Sequence, residues 1–344
     1  MKWMIYGANG YTGELVLQYA KTLGEQPVLA GRNRAAIEAL AEQHQLPACV
    51  VDLADTAALQ KALTDVDLVV HCAGPFDVTA KPMIEACLQT KTHYLDITGE
   101  LNVFEYAHSR HDDAVRAGIV LCPGVGFDVI PTDCVAAQLK EKMPDATHLT
   151  LGFDSASRMS RGTAKTSARK LGDGGAVRKD GKIMSVPLAY RTRKIDFGGG
   201  EKLAMTIPWG DVSTAYHTTS IPNIEVYIPA SPRLVKRLQR MNWFRWLLRM
   251  KPVQRWLEKK IEQQPAGPDQ KQLENATTHV WGEVRNQAGQ VETLRLEVLN
   301  GYKLTSRGAV DVAMHVLGNQ PTGGFYTPSK LCGAQLVNRY VVDR

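Results

Sequence analysis

Near the start of the chain, Ile5-Tyr6-Gly7-Ala8-Asn9-Gly10-Tyr11-Thr12-Gly13 holds three glycines at intervals of three. Before it lies a short apolar run, Lys2 to Tyr6. After it, Tyr11 to Leu23 places Leu15, Val16, Tyr19, Ala20 and Leu23 on one helical face. Between a strand and a helix each glycine has a distinct use: Gly7 permits the turn, Gly10 lets the backbone approach a pyrophosphate, and Gly13 allows close helix packing. The anion would rest on amides at the helix N-terminus, beside Asn9 and Tyr11, where Thr12 adds a hydroxyl and the helix dipole favours negative charge. A lone glycine triplet also fits an ordinary tight turn, so the choice depends on the residues downstream.

Beyond Leu23, strand and helix alternate. Pro27 to Ala30 reads as a strand, Arg34 to His44 as a helix, Ala48 to Leu53 as a strand and Thr56 to Thr64 as a helix. The pattern continues with strand Leu68 to Cys72, a helix from about Pro82 to Gln89, strand His93 to Ile97, a helix from about Val103 to Ala117, and strand Ile119 to Cys122. Six strands separated by helices imply an α/β fold: a Rossmann-type, doubly wound parallel sheet over residues 1–127.

The end of the second strand bears on the nucleotide. An Asp or Glu about twenty residues after the glycine turn would bind the ribose 2′-hydroxyl of NAD. Here the chain reads Gly31-Arg32-Asn33-Arg34, with no carboxylate before Glu38. Two arginines at that point suit charge-assisted hydrogen bonds to a 2′-phosphate, and so NADP(H); the alternative is a pair of solvated helix-start residues. Asp52 is placed either to accept from the adenine amino group or to cap the next helix. The loops Cys72-Ala73-Gly74-Pro75-Phe76 and Asp96-Ile97-Thr98-Gly99-Glu100 fall at the carboxyl edge of the sheet, where ligands bind in such folds. Ala73, Gly74, Pro75, Thr98 and Gly99 would pass close to the cofactor's ribose and nicotinamide, or serve as plain strand-to-helix turns.

After Gly126 the rhythm changes. Asp128 to Met143 reads as a turn and a helix, and His148 to Phe153 alternates as a strand. Thr278 to Arg285 and Val291 to Leu299 flank the turn Asn286-Gln287-Ala288-Gly289, a hairpin pattern implying an antiparallel sheet with one solvated or ligand-facing side. Helices are expected at Thr305 to Leu317 and Ser329 to Tyr340, separated by Gly323-Gly324. The division expected is a second, α+β domain over 128–324, with a C-terminal helix in 325–344 packing back on the first domain. Ser155 to Thr166 is rich in charge and hydroxyl groups and leads to Gly172-Asp173-Gly174-Gly175, which reads either as a mobile lid or as a solvated loop and helix. Tyr190 and Lys194 match the YxxxK spacing that helical short-chain dehydrogenases use, but the stretch reads as extended, and four strand residues hold side chains about 13 Å apart.

Arg233 to Ile261 carries ten Lys and Arg, one Glu and three Trp among Leu and Met. Such a basic amphipathic segment suits the headgroup layer of an anionic membrane or a cover for a lipophilic substrate. Its apolar stripe equally suits packing on the second domain or on a second copy of the chain. Pro252 is expected to break it into two helices.

Composition limits the remaining classes. A chain of 344 residues with 44% hydrophobic residues supports two domains. Lys and Arg exceed Asp and Glu by 41 to 35, too slight an excess to argue for nucleic acid. Six scattered cysteines with no CxxC pair or metal-ligand spacing point to reduced thiols in a cytoplasm and to no metal site. No room for a signal peptide is expected before the first strand, and no uncharged apolar run approaches the roughly 18 residues of a membrane span.

Together, GANGYTG (7–13), LAGRNR (29–34), HCAGPF (71–76), HYLDITGE (93–100) and PGVGFDVIPTD (123–133) resemble the saccharopine dehydrogenase-like oxidoreductases, including the saccharopine reductase group and the trans-acting enoyl reductases. SRGTAKTS (160–167) and FYTPSKLCGAQLV (325–337) extend the resemblance. It implies an N-terminal Rossmann domain, a second domain on a mixed sheet, a C-terminal helix returning to the first domain, and NADP(H) as hydride carrier.

The function expected is therefore hydride transfer between NADP(H) and an electrophilic double bond of a small or lipid-like metabolite. Near the carboxyl ends of strands four to six, Glu100 and Asp128 are the candidate proton donors, provided burial raises a carboxyl toward neutrality; either could instead cap a helix or turn. Cys122, before Pro123-Gly124, is either a nucleophile or a buried structural thiol. The rival reading is a catalytically idle NADP(H)-binding protein that meets membranes or partners through 233–261; a homodimer is a further expectation.

Overall fold

The computed structural model describes residues 1–342. The described residues form two compact units: 1–130 with 302–333, and 131–301 with 334–342. In the first unit the apolar runs become strands buried on both faces, the mark of a parallel sheet covered by helices. In chain order its elements begin β1 (Trp3–Tyr6), α1 (Tyr11–Thr22), β2 (Val28–Gly31), α2 (Arg34–His44), β3 (Ala48–Val50), α3 (Thr56–Leu63) and β4 (Leu68–His71). They continue with α4 (Phe76–Thr90), β5 (His93–Asp96), α5 (Leu101–Ser109), α6 (His111–Ala117) and β6 (Val120–Cys122). Every residue of β1, β2 and β4 is buried.

All strand pairs in this sheet are parallel, and the first six strands stand in the order 3-2-1-4-5-6. The order reverses between β1 and β4, which makes their carboxyl ends the switch point at which such sheets bind ligands. The expected Rossmann-type architecture is thus present. A seventh strand, not anticipated, is Gly324–Phe325, which pairs in parallel beyond β6. Its first residue belongs to the glycine pair expected to separate helices, and two residues are too few to show an alternation.

Three local readings are corrected. The fourth helix starts at Phe76, six residues before Pro82, because the Glu100 carboxylate, 23 and 24 residues further on, accepts the amides of Phe76 (2.9 Å) and Asp77 (3.2 Å) and anchors the first turn. The single helix expected from Val103 to Ala117 divides at Arg110, which pairs with Glu85 and Asp113. The helix expected from Ser329 to Tyr340 is a short α-helix, Pro328–Cys332, and a 3-10 turn, Ala334–Tyr340, because Gly333 between them has φ +87°.

The second unit is built on a mixed sheet. Its elements are α7 (Ile130–Lys142), β7 (His148–Ser155), α8 (Arg161–Lys170), β8 (Gly175–Lys179), β9 (Lys182–Val186), β10 (Thr192–Asp196), β11 (Glu201–Ile207), α9 (Asp211–Thr219), β12 (Asn223–Pro229), α10 (Pro232–Met241), α11 (Lys251–Glu262), α12 (Gln270–Asn275), β13 (Thr277–Arg285) and β14 (Val291–Leu299). The path β10-β11-β12-β7-β13-β14 is antiparallel except for β12 with β7, and β8 and β9 form a hairpin off β12. Tyr190 precedes β10 and Lys194 lies within it, paired with Glu201 on β11 at 2.9 Å. The extended spacing rules out the short-chain dehydrogenase dyad. The hydroxyl-rich stretch forms α8, capped by Ser160 and tied to α11 by Arg169–Glu258 and Lys165–Glu262. It is a braced helix, not a free loop.

The last segment also differs from expectation. Helix α13 (Gly301–Asn319) returns to the first unit, where Tyr302 meets Tyr11 edge to face at 5.4 Å, Asp311 accepts the Tyr19 hydroxyl, and Thr305 accepts the amide of Phe127. Residues 334–342 instead join the second unit: Gln138 donates to the Ala334 carbonyl, and Val342 donates to that of Glu297. The expected return of 325–344 to the first unit therefore holds only as far as Gly333, and its final two positions lie outside the described residues.

The glycine turn yields a stability test. A Cβ on Gly13 would overlap the Gly7 carbonyl oxygen, whereas Gly318, in α13, has nothing near its Cβ position. Gly13→Ala should cost about 1–3 kcal/mol of stability by overpacking, and Gly318→Ala should be neutral or add about 0.4–1 kcal/mol. Denaturant titration of the two variants checks both; equal effects would refute the packing role assigned to Gly13.

Candidate functional site

The carboxyl ends of β1, β2 and β4 form a cradle of bare backbone. Gly7 (φ +84°) turns out of β1 in the left-handed region, and a Cβ there would lie 2.8 Å from both Cβ and N of Ala73 at the end of β4. Gly10 precedes α1 with no side-chain cap, so its first turn presents backbone to an anion. Asn9 is exposed, with Oδ1 at the end of β2 beside Gly31. Thr12 lies in the first turn of α1, and Tyr11 packs on Tyr302. A pyrophosphate fits this cradle because side chains are missing where it would rest.

At the end of β2, Arg32, Asn33 and Arg34 have separate fates. Asn33 caps α2, its Oδ1 accepting the amide of Ala36 at 3.2 Å. Arg34 is exposed and pairs with Glu38 at 2.7 Å. Arg32 is exposed, with no hydrogen bond or ion pair to another described residue, and is close enough to lower the pKa of the Tyr6 phenol. Burial first, then the Asp52 carboxylate, push that phenol up to about 12 against Arg32. The Tyr6 hydroxyl donates to the Val51 carbonyl at 3.0 Å, which ties β1 to the end of β3. Asp52 accepts the amide of Ala54 in a local turn, while Asp55 caps α3.

Around β5 and β6 three carboxyl groups converge. Fully buried Asp96 accepts from the Tyr94 hydroxyl (2.6 Å), the Thr98 amide (2.9 Å) and the Gly124 amide (2.8 Å), stitching the two strand ends together. Burial raises its carboxyl to about 6 despite these donors, with Glu100 adding to the rise. Glu100 spans the helix-capping bonds to Phe76 and Asp77, and its own amide donates to Thr98 Oγ1. Asp128 lies against Gly99, its Oδ2 3.1 Å from where a Cβ would be. Burial and then the Glu100 charge raise Asp128 to about 7. Its carboxyl has no hydrogen-bond partner among the described residues, so it alone of the three is not committed to holding backbone in place.

The sequence candidates are therefore divided. Glu100 is a helix cap at the site rather than a free acid. Cys122, the last residue of β6, is fully buried, which makes it a core thiol and not a presented nucleophile. The Cys72 thiol, pushed up to about 12 by burial and then by Asp96, stays protonated. Ala73, Gly74, Pro75, Thr98 and Gly99 all lie on the carboxyl-edge loops. Ala73 also accepts the Thr79 hydroxyl, and the Gly74–Pro75 bond is cis.

Two further residues at this edge, Asp96 and His71, are not evident as site residues from the sequence. Buried His71, held neutral by burial that lowers it to about 3, contacts the Thr79 hydroxyl at 3.0 Å through Nε2, and its Nδ1 has no partner. Both end their strands, His71 just before one of the loops already singled out and Asp96 as the first residue of the other, and that position is the available signal. Among the described residues no cluster of His, Cys, Asp and Glu could hold a metal.

Residues 3–122 match the family model for the saccharopine dehydrogenase NADP binding domain. The chain is 24% identical over 202 residues to the saccharopine dehydrogenase-like oxidoreductase of Mus musculus, covering 51% of this chain and 47% of that protein. It is 28% identical over 141 residues to the trans-acting enoyl reductase of Mycobacterium ulcerans, covering 38% and 33%. The chain thus matches about half, or less, of the length of these curated relatives. Apo saccharopine dehydrogenase (L-Glu forming) from Saccharomyces cerevisiae is alike in fold at a TM-score of 0.65 and 13% identity, over 100% of this chain and 99% of that one. Residues 3–122 of the first unit thus carry the match to the saccharopine dehydrogenase NADP binding domain, and the chain is similar over that part to saccharopine dehydrogenase-like oxidoreductases.

Proposed function

We propose that this chain is an NADP(H)-dependent oxidoreductase that moves hydride to or from a C=N, C=O or C=C bond of a small or lipid-like metabolite. The observation that carries the reading is the pairing, on one sheet edge, of a side-chain-free phosphate cradle with an uncommitted carboxyl raised to about 7. When bound, the nicotinamide supplies or accepts the hydride. In this reading the Gly7–Gly13 turn and Thr12 hold the pyrophosphate and Arg32 meets the 2′-phosphate. Ala73, Gly74, Pro75, Thr98 and Gly99 line the path to the nicotinamide. Asp96 and Glu100 fix the β4, β5 and β6 loops in register, so the reacting groups meet a rigid edge. Asp128 then gives its proton to the substrate in the direction of reduction and takes one back in oxidation.

The arginines can be told apart. Arg32→Ala should weaken NADPH binding about tenfold or more, as expected for a lost charge-assisted bond of about 1.5–3 kcal/mol, and leave NADH binding unchanged. Arg34→Ala, which removes a side chain already paired with Glu38, should change both by less than about threefold. Calorimetric titration of both variants with both nucleotides checks this; a larger effect at Arg34 would reassign the phosphate contact.

A proton donor at Asp128 sets the sign of the pH dependence. Because its carboxyl stays protonated up to about 7, the rate of reduction should be level below that pH and fall about tenfold per unit above it. Asp128→Asn should remove that limb, lower the rate at least about a hundredfold and leave NADPH binding intact. Linkage gives an independent readout. A carboxyl raised on folding contributes stability below the ordinary carboxylate range and loses it as pH rises through about 7, so the Asn variant should gain in melting temperature over the parent at pH 8 relative to pH 5. A full rate in the Asn variant would exclude Asp128 as the donor.

A further inference from the structure

We infer that Pro232–Glu262 is a docking surface for an anionic lipid bilayer, a role separate from nucleotide binding. The segment is built from α10, a 3-10 stretch over Asn242–Arg249, and α11, whose first turn contains Pro252. The sequence announces one break, at Pro252; the structure adds a second at Asn242.

In the 3-10 stretch three aromatic rings share the exposed surface with charge, while Leu247 and Leu248 are half-buried. Its two arginines contact the loop 172–174, Arg245 half-buried and Arg249 exposed. Arg249 Nε donates to the Gly172 carbonyl at 3.1 Å and its guanidinium stands 3.5 Å from Asp173, while the Arg245 guanidinium fills the space over Gly174. The glycines of this loop thus make room for these side chains. The aromatic rings turn outward, with Trp243, Phe244 and Trp246 exposed by 83%, 62% and 63%. Farther on, Trp256 is also exposed, with Lys260 Nζ 3.9 Å from its ring centroid.

Charge identifies the occupant. Exposed cations flank the rings on both sides: Arg233, Lys236, Arg237 and Arg240 in α10, and Lys251, Arg255, Lys259 and Lys260 in α11. The acids of the segment, Glu258 and Glu262, are paired with Arg169 and Lys165 on α8 and leave the cations uncompensated. Exposed Trp and Phe amid uncompensated Lys and Arg match the headgroup layer of an anionic membrane, where rings enter the boundary and cations meet phosphates. A second copy of the same face would bring like charges together. Among the described residues no helix is long and apolar enough to cross a membrane, so the contact is peripheral.

The test is co-sedimentation of the purified full chain with phosphatidylcholine vesicles, with and without phosphatidylglycerol, while Trp emission is followed. The expected result is about tenfold or greater preference for the anionic vesicles, a blue-shifted emission and weakening by salt. Trp243→Ser, Phe244→Ser and Trp246→Ser combined should lose that binding and keep the melting temperature and NADPH affinity of the parent. Should this triple variant fail to fold, reversing four exposed cations (Lys236→Glu, Arg237→Glu, Lys259→Glu and Lys260→Glu) must abolish the preference. Equal recovery with both vesicle types, no recovery with either, or self-association that the aromatic variant abolishes would overturn the proposal.

Discussion

The first unit depends on a close approach of backbone to backbone where β1 and β4 end. Gly7 leaves β1 with a positive φ and has no room for a side chain against Ala73, and Gly13 brings α1 down onto the Gly7 carbonyl. A side chain at either position would push the helix and the fourth strand away from the switch point of the sheet. The same compactness strips the cradle of side chains and leaves a helix N-terminus facing outward. Close packing and the room left for an anion are thus two consequences of one constraint.

Farther along the edge, carboxylates set the geometry. Asp96 joins the ends of β5 and β6, and Glu100 holds the start of α4, so two buried acids are occupied with backbone amides. Burial and the Glu100 charge govern Asp128, whose own carboxyl carries no such duty. A half-buried acid beside a committed acid is held protonated toward neutrality. The positioning shell thereby tunes the group it surrounds.

Much of this is legible in the sequence because it is local. Buried parallel strands appear as uninterrupted apolar runs, and the glycine spacing of 7–13 and the missing carboxylate after β2 can be read directly. The features that escape depend on partners distant in sequence. The start of α4 is fixed by Glu100, the strand at Gly324–Phe325 exists only because β6 offers an edge, and α13 is held by Tyr11, Tyr19 and Phe127. The roles of Arg32, Asn33 and Arg34, alike as a polar run, separate only when capping and ion pairing can be seen. The contacts of Arg245 and Arg249 with a glycine loop are hidden for the same reason, since Gly172 stands 77 residues before Arg249.

The central claim is that the β1–α1 turn holds a pyrophosphate while a guanidinium beside β2 selects the additional phosphate. Calorimetric titration of the unaltered chain with NADPH and NADH tests it most directly. The account requires saturable 1:1 uptake of NADPH at least about tenfold tighter than that of NADH, a difference of about 1.4 kcal/mol. Equal affinity for the two nucleotides, or no uptake of either, would contradict it.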